Sequence, residues 1–107
     1  MTSRTILPAK DVTETIEAIF NFQDQMPFGT TISGAAVTAS VFTGVDPNPM
    51  AIINGVPALV AGFNIKQEIT AGVAGVIYLL VCSVAVSGGL VLTKEAYLSV
   101  IQADQMF

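Results

Sequence analysis

Few residues in this sequence have the chemistry of a nucleophile, a base or a metal ligand. There is no histidine, the commonest general base, and one cysteine, Cys82. Cys82 falls inside the apolar run Ile77–Val86, where a thiol serves as a small core hydrophobe. The carboxylates are Asp11, Glu14, Glu17, Asp24, Asp46, Glu68, Glu95 and Asp104. They are scattered, and only the fold could join two of them as a general acid and base. Asp46 and Asn48 share a loop and carry oxygens suited to calcium, but the alternating acidic pattern of a calcium loop is absent. Gly72-x-x-Gly75 precedes a strand pattern, not a helix, so it does not read as a phosphate-binding loop. The residues therefore predict a non-enzymatic chain with no cofactor and no metal.

The elements that would hold these residues read as strands. Ile16, Ala18, Phe20 and Phe22 alternate with Glu17, Ile19, Asn21 and Gln23, the pattern of a half-buried strand; Asp11-x-x-Glu14 and the spacing of Val12, Ile16 and Ile19 leave a helix as the alternative. Ala35, Val37, Ala39 and Val41 share one face of the next strand, with Gly34 as a bulge or bend. Gly44–Pro49 is a loop. Asn54-Gly55 is the strongest hairpin signal, with Val56–Ala61 returning as an edge because Pro57 interrupts it. Ile65, Gln67 and Ile69 alternate with Lys66 and Glu68. Gly72–Gly75 makes a turn into the long strand Ile77–Val86, and Ser87-Gly88-Gly89 closes a hairpin with the strand that follows.

Six or seven strands at roughly ten-residue spacing predict an all-β fold, an immunoglobulin-like antiparallel β-sandwich of about seven strands. Residues 1–11 read as an extended N-terminal arm, 12–101 as the sandwich and 102–107 as a C-terminal tail. Tyr78, just after the Gly72–Gly75 turn, suits the tyrosine corner of such sandwiches, in which the hydroxyl ties a turn to backbone; an ordinary core tyrosine is the alternative. Gly72, Gly75, Tyr78 and Cys82 are thus structural candidates.

Composition bears on partners. Of 107 residues, 52% are hydrophobic and 11% charged, against roughly 25% charged in an ordinary soluble domain. So little charge implies that much of the surface lies against a partner. The strand Ile77–Val86 is apolar on both faces, so Leu79 and Val81 need cover on the outward side, from a loop or a subunit; they are candidate interface residues, with the terminal Met106 and Phe107. The net charge is −4, and Arg4, Lys10, Lys66 and Lys94 form no cluster, which excludes nucleic acid and disfavours anionic membranes. A lone cysteine and an N-terminus without an apolar core segment predict synthesis in a reducing cytosol. Residues 69–93 carry no charge and are long enough to span a bilayer as a helix. Their glycines, Val and Ile content and scarcity of flanking cations, with Lys66 and Lys94 the only candidates, favour strands; a small integral membrane protein is the alternative.

The order of short motifs resembles a family. Pro8-Ala9-Lys10-Asp11, Gly29-Thr30-Thr31-Ile32, Gly72-Val73-Ala74-Gly75-Val76-Ile77-Tyr78 and the Ser87-Gly88-Gly89 hairpin resemble the small immunoglobulin-like fiber–tail adaptor proteins of tailed bacteriophages over about residues 6–101. Val37 stands near the place where those proteins often carry a Trp, and the stretch around Asp46–Gly55 is longer than usual. The resemblance implies a virion component assembled in the host cytoplasm. It would be present in multiple copies in a ring, contacting tail, fiber or connector subunits, and would have no catalytic residues. A capsid decoration or head–tail connector protein of the same fold is the alternative virion role.

Overall fold

The computed structural model describes residues 4–102. Eight strands form among them: β1 (Arg4–Ile6), β2 (Lys10–Asp11), β3 (Ile16–Asn21), β4 (Ile32–Thr43), β5 (Ile53–Val60), β6 (Asn64–Ile69), β7 (Ile77–Val86) and β8 (Leu90–Ile101). A one-turn 3₁₀ helix, Pro49–Ile52, leads into β5. One sheet runs β1-β8-β7-β4, with β2 also on β8; the other runs β3-β6-β5. The chain is an all-β sandwich whose strands divide between the sheets as B-E-D and C-F-G do in immunoglobulin-type folds.

Alternation decides which side chains meet between the sheets. Ala18 and Phe20 of β3 and Ile65, Gln67 and Ile69 of β6 are buried on one side. Tyr78, Leu80, Cys82, Val84 and Val86 of β7 and Ala96, Leu98 and Val100 of β8 are buried on the other. The strand pattern of residues 16–23 thus prevails over the helical one, because pairing with β6 buries Ala18 and Phe20 and leaves Glu17 and Asn21 exposed. Gly34 falls at a register shift in β4, which is one twelve-residue strand.

Two expectations differ from what forms. The N-terminal arm is extended, but β1 and β2 lie parallel to β8 as a sheet edge, so this border of the sandwich is not antiparallel. Ile6 to Lys10 advances four positions while Tyr97 to Val100 advances three, and Pro8, which has no N–H for a ladder, sits in the break. Asn54-Gly55 is not a hairpin turn: it lies within β5, and the turn to β6 uses Ala61 and Gly62, both at positive φ (58° and 83°). The Asn54 side chain is held by the carboxylate of Glu68 opposite it. Gly55, Val56 and Pro57 then bulge out across from Gln67, whose Nε2 donates to the carbonyls of Asn54 (3.0 Å) and Gly55 (3.3 Å) in place of a ladder rung. Residues 69–93 fold as strands and turns, the reading favoured for this stretch over a span, and no helix among the described residues is long and apolar enough to cross a membrane.

Candidate functional site: two uncharged surfaces

The chemistry-bearing residues are locked into structure. Tyr78 is fully buried; its hydroxyl accepts the Val73 N–H (2.9 Å) and donates to Asp46 Oδ2 (2.6 Å). Asp46 Oδ1 also accepts the Asn48 N–H, so this loop carboxylate binds protein donors on both oxygens. Burial first, and then the hydrogen bond to Asp46, push the Tyr78 hydroxyl up to about 12. Gly72 lies at φ +100°, and a Cβ there would come 2.9 Å from Val100 Cγ2, so the turn packs directly on β8. Gly75 donates its N–H to Val100 O at 2.8 Å.

Lys10 joins the same end of the core, a role its place among scattered cations did not signal. It pairs with Val100 and is fully buried; Nζ donates to Ala71 O (2.6 Å) and Asp11 O (2.8 Å). Burial lowers its pKa, against the opposing pull of Glu14 and Asp11. An ammonium bound to two carbonyls pins the N-terminal edge to the turn before β7; it is not an available base. Cys82 is buried in the core, and desolvation pushes its thiol up to about 12, far from the reactive thiolate.

One carboxylate pair does come into register, Glu17 opposite Glu68. Both are exposed on a flat sheet face, where Lys66 Nζ lies 3.3 Å from Glu17 and Asn54 holds Glu68. No group of three metal-ligating side chains occurs among the described residues. An open polar groove of about 440 Å³ is lined by Asn21, Gln23, Asp24 and Lys94, with Lys94 Nζ 3.4 Å from Asp24.

The features that stand out are surfaces. On the outward face of the larger sheet, register sets Leu79 between Ser40 and Tyr97, and Val81 between Thr38 and Glu95. Leu79 and Val81 are half-buried, partly covered by their own sheet. The rings of Phe42 and Tyr97 meet in a tilted contact, 4.7 Å between centroids and 55° between planes, and Ile6, opposite Tyr97 on β1, is exposed. An apolar band thus crosses β1, β8, β7 and β4. Met106 and Phe107 lie outside the described residues.

The second surface adjoins the first at Phe42. From Gln25 to Ile65 the only charged residue is Asp46, and its carboxylate is bound to Tyr78. This stretch builds the side of the sandwich where β4 and β5 are the free edges of their sheets. Phe42, Val45, Met50, Val56, Leu59 and Val60 are all exposed along it. Charge counted over the whole chain could show that cover was scarce; a 41-residue span with one carboxylate was the finer signal, and it points to this side. Compared with known proteins, the chain matches no family model, no curated protein and no solved structure.

Proposed function

We propose that this chain is a non-enzymatic structural subunit of a virion, an adaptor joining phage tail and fiber and working through apolar contacts. The observation that carries the assembly reading is the band Ile6, Phe42, Leu79, Val81 and Tyr97 on an outward sheet face whose other described residues are mostly Ser, Thr, Ala and Gly. A face of this kind resembles one half of a permanent interface, where apolar area stays covered once the subunits meet. The tail and fiber location is supported by the motif order from Pro8-Ala9-Lys10-Asp11 to Ser87-Gly88-Gly89 and by its likeness to the adaptor family.

The test has two parts. An antibody to the chain, applied to particles of the source phage and imaged by electron microscopy, is expected at the tail or fiber base. Label over the head supports a decoration role instead, and particles without label refute the virion reading. In particles assembled with the Leu79→Asp/Val81→Asp variant, the protein should be missing although the isolated variant folds. Normal incorporation of that variant removes the face from the assembly.

A further inference from the structure

We infer that the N-terminal segment Arg4–Lys10 is a strap that opens as a unit while the sandwich stays folded, with Lys10 as its latch. The inference goes beyond the assembly reading, because it concerns a motion of the isolated chain and is decided in solution.

The strap closes a sheet edge but fills little of the core. From Ile6 to Lys10 the only fully buried residue is Lys10. Ile6, Pro8 and Ala9 are exposed, and Leu7 is half-buried against the core. Among the described residues the buried apolar core runs from Ala18 to Val100. Strand β8 is held from its other side by an unbroken register with β7, from Leu90 to Ser99. Apolar burial, the main force against unfolding, is therefore left in place when the strap lifts.

The backbone grip is short as well. Strands β1 and β2 lie parallel to β8 over three and two residues, and the ladder is broken at Pro8. Beyond the strap, Asp11–Glu14 closes a turn of its own. Glu14 N–H donates to Asp11 O at 3.0 Å, and Asp11 N–H donates to Glu14 Oε1 at 2.8 Å. Val12 N–H ties this turn to Ile101 O at 2.9 Å, so the turn is the hinge from which the strap swings. Units with few buried apolar contacts open below the free energy of global unfolding.

Lys10 supplies the hold that apolar side chains do not. Its Nζ reaches the carbonyl of Ala71, in the turn before β7, at 2.6 Å. Ala71 lies at φ 55°, an uncommon conformation for a residue with a Cβ, and Gly72 follows at φ 100° against Val100. A polar latch suits a strap that opens. An apolar anchor loses free energy on exposure, whereas an ammonium released to water regains its hydration. Lifting the strap takes Ile6 from beside Tyr97 and uncovers the outer backbone of β8. The Lys10 contact thus governs whether that edge is closed.

Native-state amide exchange of the full chain in rising urea, with labelling by an amine-reactive ester, tests this. The Leu7 N–H, bonded to Tyr97 O, is expected to exchange on the order of 100-fold faster than the slowest β7 amides and with little urea dependence. Lys10 Nζ should become labelled while those β7 amides remain unexchanged. Lys10→Ala should fold and lower Leu7 protection on the order of tenfold. Val84→Ala, in the core where β7 pairs with Leu92 beyond the reach of β1, should speed β7 exchange and leave Leu7 protection unchanged. The inference is overturned if Leu7 exchange or Lys10 labelling occurs only with global unfolding, if Lys10→Ala leaves Leu7 protection intact, or if Val84→Ala alters Leu7 as much as β7. Failure of Lys10→Ala to fold also overturns it, because a sandwich that needs its latch does not stand with the strap open.

Discussion

On the outward face of β3, β6 and β5, Glu17, Lys66 and Glu68 are dressed for water: two are exposed, one is half-buried, and each has a polar or charged partner. On the outward face of β1, β8, β7 and β4, the same positions of the pleat carry Ile6, Tyr97, Leu79, Val81 and Phe42, with Glu95 beside Val81 as the charged exception. Both faces alternate with buried inward residues, on β3 and β6 in one sheet and on β7 and β8 in the other, so folding buries the inner side of each. The difference concerns what lies outside. A face that needs only solvent tolerates charge, whereas apolar side chains outside the core gain from cover by another surface.

The sharpest way to break this comparison is to invert the second face. In the proposed virion role, Leu79→Asp with Val81→Asp should eliminate incorporation into particles, while Glu17→Ser with Lys66→Ser should leave it at the wild-type level, both read by protein content of purified particles. Loss of incorporation in the second variant erases the distinction between the faces.

A second contrast lies within β8, between neighbours on opposite faces. Leu98 is buried between the sheets, so Leu98→Ala should lower unfolding free energy by about 2–5 kcal/mol in urea titrations. Tyr97, half-buried on the outward side, should lose about 1 kcal/mol as Tyr97→Ala in the isolated chain. A comparable loss at both positions means that the outward face is ordinary core.

The polar end of the core gives a third. Tyr78→Phe leaves Asp46 and the Val73 N–H without the hydroxyl and should destabilise by about 1–3 kcal/mol. Its pH signature is specific. The folded Tyr78 hydroxyl titrates at about 12 and the unfolded one near its ordinary 10.0, so the folded state holds the proton more tightly. That contribution is complete below pH 10 and is lost as pH rises toward 12. Cys82, raised from 9.0 to about 12, acts in the same direction, and Lys10, lowered by burial, acts in the opposite one. The measurement is therefore the difference between wild type and Tyr78→Phe across this window. The gap in stability should narrow with rising pH, and a constant gap contradicts the burial of this hydroxyl.

The smallest effect returns to the charged face. Removing the exposed Lys66–Glu17 pair with Lys66→Ser should change thermal stability by less than about 1 kcal/mol, and added salt should shrink even that.

Much of the fold was legible from local pattern, because burial on one face of a strand forces a period of two. The strands at Ile16–Asn21, Asn64–Ile69 and Ile77–Val86 follow that rule, and Ser87-Gly88-Gly89 makes the expected turn with Gly88 and Gly89 at positive φ. The position of Tyr78 after Gly72–Gly75 was legible for the same reason: a turn followed by a strand repeats a local arrangement. The scarcity of charge also raised the expectation of covered surface before any strand had a place.

Tertiary structure decided what depends on distant neighbours. Asn54-Gly55 has the local chemistry of a hairpin turn, yet Glu68 and Gln67 across the ladder draw it into a bulge, and Ala61-Gly62 turns the chain instead. Lys10 becomes a buried pin only because Val100 and Ala71 meet it from far along the chain. Asp46 reads as a solvated loop carboxylate until Tyr78 reaches it, thirty-two residues away. The free edge of β4 is likewise invisible in one dimension. A strand's own residues fix which side chains turn inward, but the order of strands in the sheet fixes which backbone is left without a neighbour.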